Sequence, residues 1–301
     1  MTTTTPEPID AGEFETQRRR LTGLAYRMLG SVAEAEDVVQ EAYLRWHTTD
    51  RAAVANPRAF LSTVVTRLCL DQIKSARSRR EHYIGPWLPE PVLDDEPLDA
   101  ETASDYAHEL SMTLMLALER LSPLERAAFL LHDVFDIEFG QVARTLGRSE
   151  PACRQLAARA RTHVKESQPR FPIPPEAGAR LAEAFFTAAR SGDAETLTRL
   201  LAEDAVLSTD GGGKRVAALR PILGRAKITR FFVGLASKYD RYAQYSVTPT
   251  RINGQPGFLV TEPDGAIHTL AIDVRDGFIA SIYIVRNPDK LKHLVKDNRE
   301  T

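Results

Sequence analysis

Several features of exported and membrane proteins are missing from this sequence of 301 residues. Two cysteines, Cys69 and Cys153, lie far apart within helical patterns, which excludes a disulfide framework and fits a reducing cytosol. The opening MTTTTPEPID has no basic start and no apolar stretch, so no export signal is read there. No apolar run reaches the length of a membrane span. A cytoplasmic protein with no metal, no cofactor and no membrane partner is expected. Net charge is nearly absent as well, at −2.

That small sum hides an uneven distribution. Residues 51–81 hold seven Lys or Arg against two acids, and residues 138–170 hold seven against three. Between them, residues 88–109 hold eight acids and no Lys or Arg. Two basic segments separated by an acidic insert point towards nucleic acid. Tryptophan is also scarce. Of the two, Trp87 sits among prolines in GPWLPEPVLDDEP, a tether too apolar and too stiff for a passive linker.

Helical periodicity runs through residues 14–81. Phe14, Leu21, Leu24 and Met28 recur at helical spacing and Gly30 closes the segment. Ser31 with Glu34 forms the cap of a second helix with the stripe Ala35, Val38, Val39, Ala42 and Trp46. Asn56-Pro57 opens a third. The second helix carries Asp37, Gln40, Glu41 and Arg45 on the face opposite its stripe. The third carries Arg58, Arg67, Lys74, Arg77, Arg79 and Arg80, able to neutralise phosphates. Residues 105–166 read as helical again, with Ser122-Pro123-Leu124-Glu125 opening a helix over 123–134. A short helix ending at Gly147, the turn Arg148-Ser149-Glu150 and an Arg-rich helix then make a helix-turn-helix pattern. Arg148, Ser149, Glu150, Arg154 and Gln155 fall where side chains reach base edges, Arg159 and Arg161 where they meet phosphate.

PRFPIPPE breaks the chain at 169–176. Helices follow, then a strand, a glycine turn at DGGGK with a return strand, another helix and an antiparallel meander folded at Asp276-Gly277, together an α+β domain. DGGGK lacks the spacing and trailing Ser/Thr of a phosphate loop. His268, Asp273 and Tyr283 are the candidates for pocket chemistry. Alternation puts His268 and Asp273 on opposite faces of their strand unless a bulge intervenes.

AEAEDVVQEAYLRW (33–46) resembles the polymerase-docking region of bacterial sigma factors, and NPRAFLSTVVTRLCLDQIKSARSRR (56–80) the adjoining region that reads the minus-10 element. Residues 118–161 resemble the domain that reads minus-35. Their order is similar to that of the extracytoplasmic-function class. WLPEP, DGGGK and NPDKL further resemble motifs of a sigma-J-like subgroup with a fused SnoaL-like domain. Ser62 stands where the class commonly has Trp, and EFGQVA replaces a more acidic helix start.

The resemblance implies a multidomain fold. Two all-α DNA-binding domains, sigma region 2 (12–82) and sigma region 4 (108–168), are joined by an acidic linker (83–107). An α+β SnoaL/NTF2-like cone domain (174–290) and a tail (291–301) follow. It implies core RNA polymerase and promoter DNA as partners. Asp37, Gln40, Glu41 and Arg45 would dock on polymerase. The arginines and lysine of the third helix would serve minus-10, and residues 148–161 minus-35.

The plug Trp87, Leu88, Pro89, Glu90 and Pro91 would be held by Asp210, Gly211, Gly212, Gly213 and Lys214 together with Asn287, Pro288 and Asp289. The tail from 287 should lie outside the cone's core, and Asp94, Asp95, Glu96 and Asp99 should keep the linker off DNA. A small molecule in the cone, sensed without chemistry, is a further partner to test. Two rivals stand beside this reading: a DNA-binding regulator that works without polymerase, and a SnoaL-like cyclase or isomerase with a DNA-binding appendage.

Overall fold

The computed structural model describes residues 12–80, 83–94, 110–167, 174–238 and 245–295, the side chains of 75–80, 166, 167 and 238 excepted. Ten helices and six strands are seen among them. In the first region, α1 (Gly12–Leu29), α2 (Val32–Thr48) and α3 (Pro57–Arg80) follow the sequence pattern closely. Gly30 ends α1 in the left-handed region at φ +71°, and Asn56 caps α3 by accepting from the Ala59 amide at 2.9 Å.

The second region holds α4 (Met112–Arg120), α5 (Pro123–Phe129), α6 (Phe139–Leu146) and α7 (Glu150–Ser167). Ser122 and Glu125 form the reciprocal capping box at the start of α5. The helix expected over 123–134 is α-helical only to Phe129 and continues as a wider π turn through Val134. There the Phe135 amide donates to Leu130 O at 2.9 Å. This widening turns Phe135 inward, within 5.2 Å of the Arg20 guanidinium and 5.8 Å of that of Arg27 on α1. The two helical regions thereby share a single hydrophobic core running from Phe14 to Val164.

The cone domain sets α8 (Pro175–Ser191), α9 (Ala194–Leu200) and α10 (Arg225–Lys238) against one face of a six-stranded sheet. Its strands are β1 (Leu201–Asp210), β2 (Ile222–Leu223), β3 (Ser246–Ile252), β4 (Gln255–Thr261), β5 (Ile267–Arg275) and β6 (Phe278–Val285), in the order β2-β1-β6-β5-β4-β3. The fold is the α+β arrangement expected, with one correction. The return strand after DGGGK is only the two-residue β2, well beyond the turn. The main partner of β1 is β6, in parallel, and just past the end of that pairing Asp210 O accepts from the amides of Arg286 and Asn287 at 2.7 and 3.0 Å. β5 and β6 turn at Asp276-Gly277 with φ +54° and +81°, the pair of positive values a two-residue hairpin demands.

The opposite face of the sheet is buried too. Ala271, Tyr283 and Val285 pack there with Leu88 of the linker, Met112 of α4, and Leu291 and Leu294. The tail, expected outside the cone's core, instead buries Leu291 and Leu294 against the sheet in this seam, though it takes no part in the helix-side core. Among the described residues no helix is long and apolar enough to cross a membrane.

Candidate functional site

The linker peptide at Leu88 is gripped from both ends. Its N–H donates to Asp210 Oδ2 at 2.9 Å, and its carbonyl accepts from Lys290 Nζ. Those two side chains pair with each other at 2.8 Å and are 0 % and 8 % exposed, so the pair is closed to water. Tyr83 completes the cluster. Its hydroxyl donates to Asp210 Oδ1 at 2.5 Å and accepts from Asn287 Nδ2 at 2.9 Å. Burial first, then the Asp210 carboxylate, push the Tyr83 pKa upward.

The glycines of DGGGK let these parts approach. A Cβ on Gly212, whose φ is +57°, would lie 2.2 Å from Asn287 Nδ2. Lys214 pairs with Asp289 at the rim, and Asn287 caps the turn at Pro288 by accepting from the Asp289 amide at 3.1 Å. The three sequence motifs thus converge on one clasp.

From the clasp the linker reaches the first helical region. A Cβ on Gly30 would stand 2.6 Å from the Trp87 ring, so the indole fills the space the glycine leaves. Glu90, buried, accepts from Ser31 Oγ at 2.8 Å and from the Val32 amide at 2.7 Å. It thereby supplies a carboxylate to the N-terminus of α2, where helix dipole and open amides favour one. Tyr26 Oη donates to Glu90 O at 2.7 Å. Asn253 Nδ2 donates to Tyr26 Oη at 2.8 Å and to Leu110 O at 3.0 Å. His293 Nε2 lies 2.7 Å from Pro91 O. Of the linker acids, Asp94 pairs with Arg251 at 2.6 Å, which ties it to the cone; Asp95, Glu96 and Asp99 lie outside the described residues.

Sequence reasoning missed Tyr83, Asn253, Lys290 and His293 as linker contacts. Lys290 lies inside NPDKL, but nothing in the sequence separates a buried lysine from an exposed one. Nothing local marks the other three.

Asp37, Gln40, Glu41 and Arg45 form an exposed band on α2, with Arg45 and Glu41 paired at 3.0 Å. On α3, Arg58 is exposed and Lys74 pairs with Asp71 at 2.9 Å; the side chains of Arg77, Arg79 and Arg80 lie outside the described residues. Arg67 does something the sequence did not foretell. Its guanidinium donates to Thr145 O at 3.2 Å and Arg144 O at 3.0 Å, capping the C-terminus of α6 in the other helical region. Gln141 Nε2 donates to Thr63 Oγ1 at 3.2 Å beside it. Ser62 is buried and accepts from Arg20 at 3.0 Å, a contact that a Trp at that position would remove.

In the helix-turn-helix, Arg148, Ser149, Arg154, Gln155 and Arg159 are exposed and Glu150 half-buried. Arg154 pairs with Glu150 and lies 4.6 Å over the Phe139 ring. Arg159 pairs with Glu125 at 2.8 Å and Arg161 with Asp133 at 2.6 Å.

The pocket candidates separate. His268 lines a cavity of about 80 Å³ between sheet and helices. Asp273 accepts from Gln255 at 3.3 Å, and Tyr283 Oη lies 3.1 Å from Thr113 Oγ1 of α4 on the seam side. A bulge follows Asp273, too late to bring it round. Among the described residues no three His, Cys, Asp or Glu side chains gather as a metal site would need.

The model of sigma-70 region 2 matches residues 14–79 and that of sigma-70 region 4 matches residues 111–164. The ECF RNA polymerase sigma factor SigJ of Mycobacterium tuberculosis is 40% identical over 295 residues, covering 94% of this chain and 93% of the relative. This chain belongs to the ECF RNA polymerase sigma factors. The probable sigma factor SigI of the same species is 31% identical over 292 residues, covering 96% of each. The crystal structure of M. tuberculosis SigJ superposes with a TM-score of 0.76 at 38% identity, over 94% of this chain and 98% of that one. The likeness spans the cone domain as well as the two sigma regions. The clasp therefore joins parts of one sigma factor.

Proposed function

We propose that this sigma factor, which binds core RNA polymerase and directs it to promoters, rests in a closed form held by its own cone domain. The observation that carries the reading is the bond from Arg67 to the carbonyl end of α6, within a core shared by both sigma regions. Elements named minus-10 and minus-35 lie some twenty-five base pairs apart, roughly 80 Å at about 3.4 Å per step. Two modules in side-chain contact cannot span that distance, so promoter reading requires them to part.

Parting frees the residues assigned to DNA. Arg67 leaves α6, and Arg161 can exchange Asp133 for phosphate. The closed form also carries a cost that favours opening. Arg20 is 6% exposed, and its Nε and Nη2 have no hydrogen-bond partner among the described residues. Burial, with Arg58 adding to it, lowers its pKa to about 10. Asp37, Gln40, Glu41 and Arg45, exposed in the closed form, can meet polymerase first. In this reading the cone is a regulator without catalysis, since His268 and Asp273 serve opposite faces of the sheet.

Dyes placed on Thr16 and Thr162, exposed positions outside the residues assigned to polymerase and to DNA, test this by energy transfer. A short distance in the free protein and a long one in the complex with core polymerase and promoter are expected. An unchanged distance in a transcribing complex overturns the closed-form reading. Gel shifts at physiological salt address the rival regulator. Weak, sequence-blind binding by the free protein is expected, and tight specific binding without polymerase favours the rival.

A further inference from the structure

Residues 211–230 of the cone, GGGKRVAALRPILGRAKITR, hold six Lys or Arg and no acid. Lys214 and Arg215 are neutralised locally, by Asp289 and Asp264. Arg220, Arg225, Lys227 and Arg230 form no ion pair among the described residues. Arg225 is half-buried and the other three are exposed. The fold sets these four along one edge of the sheet. Arg220 precedes the edge strand β2, and Arg225 and Lys227 open α10 directly after it. Arg230 stands three residues beyond Lys227, on the same helix face. The first turn of α10 has no acid, and the helix dipole disfavours cations there. An arrangement that works against the helix points to a negative partner outside the chain. Between the cations, Leu219 and Leu223 are exposed, side chains suited to sugars and thymine methyls beside phosphate contacts.

This edge adjoins the end of α3. A Cβ on Gly213 would lie 2.8 Å from the Ile84 side chain, and one on Gly85 3.8 Å from Leu219 Cα. Arg80, the last residue of α3, is four residues before Ile84, a reach of at most about 14 Å. The linker's Asp94 is tied to Arg251 on β3, the other edge strand, five strand spacings or roughly 24 Å away. We propose that this edge of the cone binds the phosphate backbone of promoter DNA beside minus-10 through Arg220, Arg225, Lys227 and Arg230, extending the footprint of the first sigma region. The clasp ties the cone to the linker, and Glu90 ties the linker to α2. While the clasp is closed, the strip therefore keeps its register to α3 whether or not the sigma regions part.

Salt titration of the full chain on a duplex of about 30 base pairs without promoter elements tests the phosphate contacts. Each phosphate neutralised adds about 0.9 to the slope of log K against log salt. Replacing Arg220, Lys227 and Arg230 together by Gln should flatten that slope by roughly 2–3 and weaken binding at about 50 mM salt by at least about tenfold. Arg220→Lys keeps the charge and should leave the slope unchanged. So should Arg180→Gln on α8, whose first turns pack near β3 and β4. A photo-crosslinker on Leu223→Cys, in the complex with core polymerase and promoter, should label DNA beside minus-10. An unchanged slope in the triple variant, or label on polymerase alone, overturns the proposal.

Discussion

The ammonium of Lys290 lies 4.1 Å from the ring centroid of Trp87, beneath the residue next to the one whose carbonyl it holds. One cation thus meets the linker twice, through an aromatic face and through a main-chain oxygen, while neutralising Asp210. Lys290→Met keeps the stem and removes the charge, leaving Asp210 buried beside uncharged donors. Losing one member of a buried pair costs about 3–5 kcal/mol. The Leu88 amide should exchange roughly a hundredfold faster or more in this variant, and Asp210→Asn in the same chain should recover part of the loss. Unaltered exchange at Leu88 would show that the pair does not hold the linker.

Truncation from Asn287 removes Asn287, Lys290, Leu291 and Leu294 but no strand and nothing from the cone's helix-side core. The protein should remain folded by circular dichroism and transcribe more in vitro with core polymerase. Trp87→Ala should act through the same contact, so combining the two should add little, as for coupled sites. Output equal to that of the full chain would remove the clasp from regulation.

Arg154→Ala should weaken use of particular minus-35 sequences, by roughly 1–3 kcal/mol at the base it reads. Arg161→Ala should weaken all promoters alike and, through the loss of Asp133, lower stability slightly. A panel of promoters with single base changes separates the two. Sequence-blind losses in both would mean that the recognition helix lies in another register.

Glu262, whose carboxylate is held by hydrogen bonds from His268 and Arg286, makes a pH prediction with a definite sign. Its folded pKa, about 2, lies below its ordinary value of 4.5, so its contribution to stability is complete above about pH 4.5 and fades as pH falls towards 2. That contribution is on the order of 2–3 kcal/mol. Glu262→Gln should therefore be less stable than the parent in denaturant at pH 7, and the two should converge near pH 2. Parallel curves across that range would mean that the carboxylate is not held as described.

Local chemistry carried the sequence reading where one segment decides its own form. The cap at Asn56, the box at Ser122 and the turn at Asp276-Gly277 each fixed an element in place. The clasp was half legible, because WLPEP, DGGGK and NPDKL stand out as motifs. The use of Lys290 as the buried counter-ion was not, since its partner lies eighty residues away. The packing of one sigma region on the other was hidden for a related reason. A basic side chain such as Arg67 has the same sequence signature whether it meets a phosphate or a helix's last carbonyls.

Chain order adds a consequence in time. Lys290 is made well after the last sigma helix, which ends at Ser167. At about 5–20 residues per second, synthesis of the remaining chain up to the clasp takes roughly 6–25 s. During that interval each newborn molecule has its promoter-reading parts and no restraint on its linker. Polymerase arriving early meets an ungoverned sigma factor, and a stalled or truncated message yields one that stays so.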